Sequence, residues 1–239
     1  MNTYSKKYID ELKKFDTATI SNSIEKFKVR DDTTGYSSME LKCLTPENKP
    51  MVGYAITATV DTTTPGPIKS RYEKLAELYG LIYKKDGPSV IVIKHVGSNR
   101  LRSCCFGDMS SKAAQRLGAA GLVTDCGIRD LGGIKKRAKD FCVFASGIVP
   151  SHGYGNFIEI GVTVSIFGLI IKPGDLLHGD ENGLIKIPED KIEIMKILEE
   201  AKNIIKQEKE IFDYLDKEKI DLKMIQNMLA PKDLVQQVL

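Results

Sequence analysis

Gly107-Asp-Met-Ser-Ser-Lys-Ala-Ala-Gln-Arg-Leu-Gly-Ala-Ala-Gly-Leu-Val-Thr-Asp-Cys-Gly-Ile-Arg-Asp130 is the stretch around which the rest of the chain is read. Met109 to Leu117 holds helix formers without proline or glycine, and Asp108 stands just before it as a candidate N-cap able to accept backbone N–H bonds. Gly118-Ala-Ala-Gly121 ends that helix and allows a tight reversal, and Leu122 to Cys126 is short, apolar and β-prone, as a buried strand is. Roughly ten helical residues carry the chain about 15 Å out, and roughly five strand residues carry it about 16 Å back. The loop Gly127 to Asp130 is therefore expected beside the helix N-terminus at Gly107 and Asp108, where unpaired N–H groups and a partial positive charge form an anion site.

Arg129 adds a planar fork suited to a carboxylate, and Asp130 adds a hard oxygen ligand suited to Mg²⁺ or Mn²⁺. Adjacent Arg-Asp also commonly marks a solvated turn or a surface ion pair, and Asp108 by itself reads as a cap. What favours a site is the rule that ligands gather where the strands of an α/β layer end in helix-starting loops. A cation, a guanidinium and oriented amides in one loop pair suit an α-keto acid.

The whole chain sets bounds on this reading. At 239 residues it suits one domain with a substantial core. A net charge of +3 with 28% charged residues, spread without an arginine-rich run, gives no nucleic-acid face. Cys43, Cys104, Cys105, Cys126 and Cys142 are odd in number and lack CxxC spacing, so reduced thiols are expected rather than a disulfide framework or a zinc knuckle. Cys104-Cys105 has no histidine in a partner pattern and reads as small hydrophobes. The start of the chain has no apolar segment behind its charges and no run approaches 18 apolar residues, which predicts a soluble, cytoplasmic protein without membrane contact. Walker, GxGxxG, GxSxG and HExxH patterns do not occur.

In chain order, residues 4–27 predict two short helices, the second capped by Asp16 or Thr17, and residues 28–50 a loop with a strand near Met39 to Leu44. Strands are expected at Gly53 to Val60, Ser89 to Val96, Cys142 to Ala145, Gly161 to Ile166 and Leu169 to Ile171. Helices are expected at Lys69 to Tyr83 and Leu131 to Lys139. Ser151 to Asn156 reads as a polar glycine loop in which His152 is a candidate acid or base, though more simply an incidental surface residue. Leu176 to His178 and Gly183 to Ile187 flank the best hairpin signal. From Pro188 an amphipathic helix of roughly 28 residues, about 40 Å, is expected, long enough to pack on a neighbouring subunit or to fold back over its own domain.

The chain resembles the RraA-like family, which includes class II pyruvate aldolases acting on 4-hydroxy-4-methyl-2-oxoglutarate and 4-carboxy-4-hydroxy-2-oxoadipate. The resemblance rests on Phe15 to Ser21, Gly53 to Thr57, Gly107 to Asp130, Lys172 to Asp175 and Gly183 to Pro188. It rests above all on the family's pattern of an Asp, twenty residues and Arg-Asp, here Asp108, residues 109–128 and Arg129-Asp130. Cys126 and the composition of Ile68 to Gly87 depart from the family's usual pattern.

The resemblance implies an α/β fold of the swivelling β/β/α type over residues 1–188, with 189–239 as a helical extension packing on the domain or a neighbour. It implies a homotrimer or homohexamer and a divalent cation, Mg²⁺ or Mn²⁺, on Asp130. Arg129 would bind the keto-acid group, amides of Gly107, Asp108, Met109 and Ser110 would hold its carboxylate, and Asp108 would order water on the cation. Alignment of Ala201 to Glu208 places Glu208 on a glutamate that reaches the adjacent subunit's site in the aldolases. The implied activity is that of a carbon–carbon lyase releasing pyruvate from a 4-hydroxy-2-oxo acid, with oxaloacetate decarboxylation through the same enolate. The alternative within the family is a non-catalytic regulator that binds a ribonuclease or helicase.

Overall fold

The protein is described by a computed structural model for residues 4–190, 192–217 and 219–229. Residues 1–3 and 230–239, the outer parts of the expected domain and of the expected extension, lie outside the described residues. Helices α1 (Lys6–Leu12) and α2 (Thr17–Glu25) come first, and Asp16 caps α2 by accepting the Thr19 N–H at 2.6 Å. A two-residue strand β1 (Lys42–Cys43) precedes β2 (Met51–Asp61), α3 (Ile68–Lys84) and β3 (Ser89–His95). The central stretch gives α4 (Asp108–Leu117), β4 (Ala119–Thr124), β5 (Gly127–Ile128), α5 (Leu131–Arg137), β6 (Cys142–Ala145) and β7 (Gly147–Ile148). Then come β8 (Asn156–Ile160), β9 (Val164–Ile166), β10 (Leu169–Ile171), β11 (Leu176–Asp180), β12 (Gly183–Lys186), α6 (Ile194–Leu215) and α7 (Leu222–Leu229).

The main sheet runs β1-β6-β4-β3-β2-β11-β12, with β8 also on β2. Its centre, β2-β3-β4-β6, is parallel, and β1, β8, β11 and β12 join antiparallel. Ten of the eleven residues of β2 are buried, so it packs on both faces, as a parallel-sheet strand must. Its even positions divide between two helical clusters. Val52 and Tyr54 lie with α1, α2 and α6, while Ile56, Ala58 and Val60 lie under α3, α4 and α5. Its odd positions Met51 and Ala55 face the β9–β10 hairpin. Ile91, Leu122 and Val143 repeat the helix-facing set on the neighbouring strands, and Val92, Val123 and Phe144 the hairpin-facing set. The layers are thus helices, sheet and small sheet.

Several boundaries differ from those read in the sequence. Asp108 is the first helical residue and not the N-cap; Gly107 occupies the cap, and the Asp108 carboxylate is taken by other partners. The reversal after α4 needs only Gly118, at φ 113°, because Ala119 already pairs in the sheet. β8 forms just after the glycine loop, where no strand was expected, because the far half of β2 offers an open edge to pair with. The long helix starts at Ile194 and not at Pro188, since Ile192 and Ile194 must first dock on the α1–α2 cluster. Its first half, Ile197, Leu198, Ala201 and Ile204, is buried against its own domain, whereas Phe212 on the second half is 62% exposed. No helix among the described residues is long and apolar enough to cross a membrane.

Two stability predictions follow from this packing. Ile197→Ala should cost about 2–5 kcal/mol in urea unfolding, the cavity cost of a buried aliphatic; a loss below about 1 kcal/mol would mean that α6 is not anchored. Glu189, between β12 and α6, is half-buried, and burial first and Asp175 second push its carboxyl up to about 7 from the usual 4.5. A raised carboxyl lends stability that is complete below the unfolded value and is lost as pH rises through about 7. Glu189→Gln should therefore melt above the parent at about pH 8 and lose that advantage near pH 4; an equal gap at both values would contradict it.

Candidate functional site

The run 103–107 and the run 127–129 lie side by side as a short parallel ladder. Gly127 N–H donates to Ser103 O at 3.1 Å, Cys105 N–H to Gly127 O at 3.2 Å and Arg129 N–H to Phe106 O at 3.0 Å. Helix α4 therefore starts where α5 starts, as the out-and-back geometry of the sequence requires. A Cβ built on Gly107 would lie 2.9 Å from Asp130 Oδ2 and 3.3 Å from Arg129 Nε, so the bare backbone of Gly107 is the floor of a cradle formed by these two side chains. Arg129 Nε and Asp130 Oδ2 pair at 3.1 Å, and both side chains stay open to solvent.

Asp130 is held at φ 58°, ψ 34°, the left-handed region that only Asn and Asp among non-glycine residues visit with any ease. Its side chain makes no capping bond to α5, and its carbonyl accepts the Ile134 N–H at 2.9 Å. Strained backbone of this kind concentrates at functional positions. Asp108 is differently placed: Oδ1 accepts its neighbour Met109 N–H at 2.8 Å, and Oδ2 accepts Arg137 Nη1 at 2.5 Å. It is a brace between α4 and α5. Gly133 permits this, since a Cβ there would lie 2.7 Å from Asp108 Oδ2. Met109 is 84% exposed over the helix start, and the Ser110 carbonyl accepts the Tyr79 hydroxyl at 3.5 Å.

Gly107, Asp108, Met109, Ser110, Arg129 and Asp130 are thus gathered within one loop pair. Glu208 is not among them in the single chain: α6 rests on α1 and α2, and its buried side chains belong to a different cluster from those of α4 and α5. His152 is exposed, and its Nδ1 is engaged by the neighbouring Gly153 carbonyl.

Asp125 is the residue that the sequence reading passed over. It is buried at the carboxyl end of β4, where Oδ2 pairs with Lys94 Nζ at 2.5 Å and Oδ1 accepts the His95 N–H at 2.7 Å. Its carbonyl accepts Arg100 Nη1 and Ser146 Oγ, each at 2.7 Å. This network fixes the ends of β3, β4 and β6 behind the ladder. His95 is buried there, and that burial lowers its pKa from the usual histidine value. An acid directly after an apolar strand was the available signal.

Among the described residues no group of three or more His, Cys, Asp and Glu could hold a metal ion. Mg²⁺ asks for less than such a cage, since it usually sits on one or two carboxylates and completes its shell with water and substrate oxygens. One solvent-facing carboxylate beside a glycine floor fits that demand, and the all-oxygen donor set fits Mg²⁺ or Mn²⁺ better than a softer ion.

The RraA-like model (Aldolase/RraA) matches residues 17–186, a span that contains the ladder and the cradle. A protein of Methanocaldococcus jannaschii is 37% identical over 122 residues, 51% of this chain and 57% of the relative, so the chain spans less than two thirds of that relative's length. A Halalkalibacterium halodurans protein named "Putative 4-hydroxy-4-methyl-2-oxoglutarate aldolase" is 34% identical over 160 residues, 65% of this chain and 67% of the relative. Among solved structures, Streptomyces coelicolor RraAS2, described as an unusual member of the RNase ES inhibitor RraA protein family, superposes with a TM-score of 0.67 at 22% identity. That match covers 87% of this chain and 97% of RraAS2. With its helix, sheet and small-sheet layers and its long C-terminal helix, the chain belongs to the RraA-like family.

Proposed function

We propose that the protein is a divalent-cation-dependent carbon–carbon lyase that cleaves a 4-hydroxy-2-oxo acid to pyruvate and also decarboxylates oxaloacetate. The observation that carries this is the cradle on Gly107, where the amide end of α4, the Arg129 fork and the Asp130 carboxylate converge. The names of relatives such as the Halalkalibacterium halodurans protein support the same class.

In this reading the N–H groups at the start of α4 receive the substrate carboxylate, which takes the Met109 N–H over from Asp108 Oδ1 and which the helix end favours electrostatically. Arg129 presents a fixed fork to the keto-acid group and stabilises the negative charge that grows as C–C cleavage leaves a pyruvate enolate. Asp130 would hold the cation, with Asp108, braced by Arg137, ordering nearby water that moves protons. A cation bound there supplies Lewis-acid polarisation of the 2-keto oxygen. Because both cleavage and decarboxylation pass through one enolate, one site serves both.

We further propose that the protein works as a homotrimer or homohexamer in the cytoplasm. Glu208 would complete the site from a neighbouring chain, through the half of α6 whose Phe212 is exposed. The regulator reading would not call on Arg129 and Asp130 for chemistry, so loss of pyruvate release in their variants separates the two.

Pyruvate release from oxaloacetate and from a tertiary-alcohol keto acid, with and without Mg²⁺, is the direct assay. Asp130→Ala should abolish cation-dependent turnover and, because alanine adopts the left-handed backbone at 130 less readily, should cost about 1–2 kcal/mol of stability, short of unfolding. Arg129→Lys should lower kcat/KM by about 10²-fold or more, because a point charge cannot replace a bidentate fork. Wild-type rates in both variants would overturn the site. For Glu208, mixing Glu208→Ala chains with Asp130→Ala chains should restore part of the activity that each lacks, since sites shared between chains are rebuilt in mixed oligomers. No regain, with full kcat in Glu208→Ala alone, would remove Glu208 from the site.

A further inference from the structure

Arg30 presents a half-buried guanidinium for which the fold supplies no carboxylate partner. Its Nη1 donates to the Lys186 carbonyl at 2.6 Å, a neutral acceptor, and no salt bridge closes on it among the described residues. Glu25 favours its charge only from beyond ion-pair distance, while burial works against that charge. A cation held this way is short of counter-ions. Its place is nonetheless built. Lys186 N–H donates to Gly35 O at 2.9 Å, so the run after Arg30 lies along β12, and a Cβ on Gly35 would run into the guanidinium. Gly35 stands at φ 85°, where glycine alone is at ease.

The guanidinium lines a cavity of about 830 Å³, within the range of about 300–1,000 Å³ usual for small-molecule sites. Lys172, exposed on the same cavity, is a second cation without a salt bridge among the described residues. Leu169, Ile170, Ile187 and Pro188 give the space its apolar surface. The acids around it oppose an anion less than their number suggests. Asp175 Oδ2 is met by Lys172 N–H at 2.7 Å and by Lys186 Nζ at 3.2 Å, and Glu189, its carboxyl pushed up to about 7, is partly uncharged at neutral pH. Asp190 remains, and it disfavours a dianion more than a monoanion.

We propose that this cavity binds a small monocarboxylate with an apolar body, the carboxylate on the Arg30 fork beside Lys172 and the body against Leu169, Ile170, Ile187 and Pro188. A planar guanidinium meets the two oxygens of a carboxylate with parallel N–H bonds, and one bond to a backbone carbonyl leaves donors for them. The cavity lies apart from the cradle. Tyr54 pairs with Leu176, next to the cavity, and with Ser89, the first residue of β3, whereas the cradle stands beyond the last residues of β3 and β4. The two are at opposite ends of the parallel strands, so this binding is independent of which keto acid, if any, the protein cleaves.

The test is calorimetric titration of the protein with benzoate, set beside phenyl phosphate and benzyl alcohol. Benzoate should bind at one site per chain, about 10-fold or more tighter than either comparison compound, since it alone is both apolar and singly charged. Arg30→Gln should weaken benzoate binding by about 10-fold or more, and Lys172→Ala by about 3-fold or more. Arg129→Lys and Asp130→Ala, which alter the cradle, should bind benzoate as the parent does. Where Arg30→Gln melts below the parent, Lys172→Ala, with its exposed side chain, carries the comparison. Absence of benzoate binding, parent affinity in both Arg30→Gln and Lys172→Ala, loss of binding in Arg129→Lys, or tighter binding of phenyl phosphate would overturn the proposal.

Discussion

The three hydrogen bonds that join residues 103–107 to 127–129 are the constraint on which the candidate site depends. They are backbone bonds, so they fix the two runs whatever side chains these carry. Their effect is to bring two helix starts, those of α4 and α5, to one point. A Cβ on Gly107 would lie 2.9 Å from the Asp130 carboxylate and turn it aside, so glycine here leaves that carboxylate its place beside the helix start. Asp130 in turn takes a left-handed backbone because the chain has to leave the ladder and enter α5 within one residue.

Support for the ladder comes from both sides. In front, Arg137 and Asp108 tie the two helices across Gly133. Behind, Asp125 gathers Lys94, the His95 amide, Arg100 and Ser146 at the carboxyl ends of three parallel strands. A buried carboxylate is tolerated there because each oxygen has a donor, and removing one partner of such a pair is commonly far costlier than replacing the pair. The site is thus shallow and open on its outer face but rigid from beneath.

Chemistry at this place needs little depth. Under the proposed function, the amide end and the guanidinium would meet the carboxylate and carbonyl of a small keto acid, and the Asp130 carboxylate would hold the cation.

The sequence by itself determined the elements and their traffic: the central helix, the buried strands, the hairpin near Asp180 and the meeting of Gly107 with Arg129 all follow from local periodicity and from the rise per residue of helix and strand. These are short-range properties, and they are legible in one dimension. Tertiary structure alone decided what required partners distant in sequence. β8 exists because β2 leaves an edge free, and α6 begins late because Ile192 and Ile194 dock first. Asp108 turned from a cap into a brace because Arg137, remote in sequence, takes its oxygen, and Asp125 became a buried hub because three strands end beside it. No pattern within one segment records those neighbours, since a side chain's role is set by whatever the fold delivers to it.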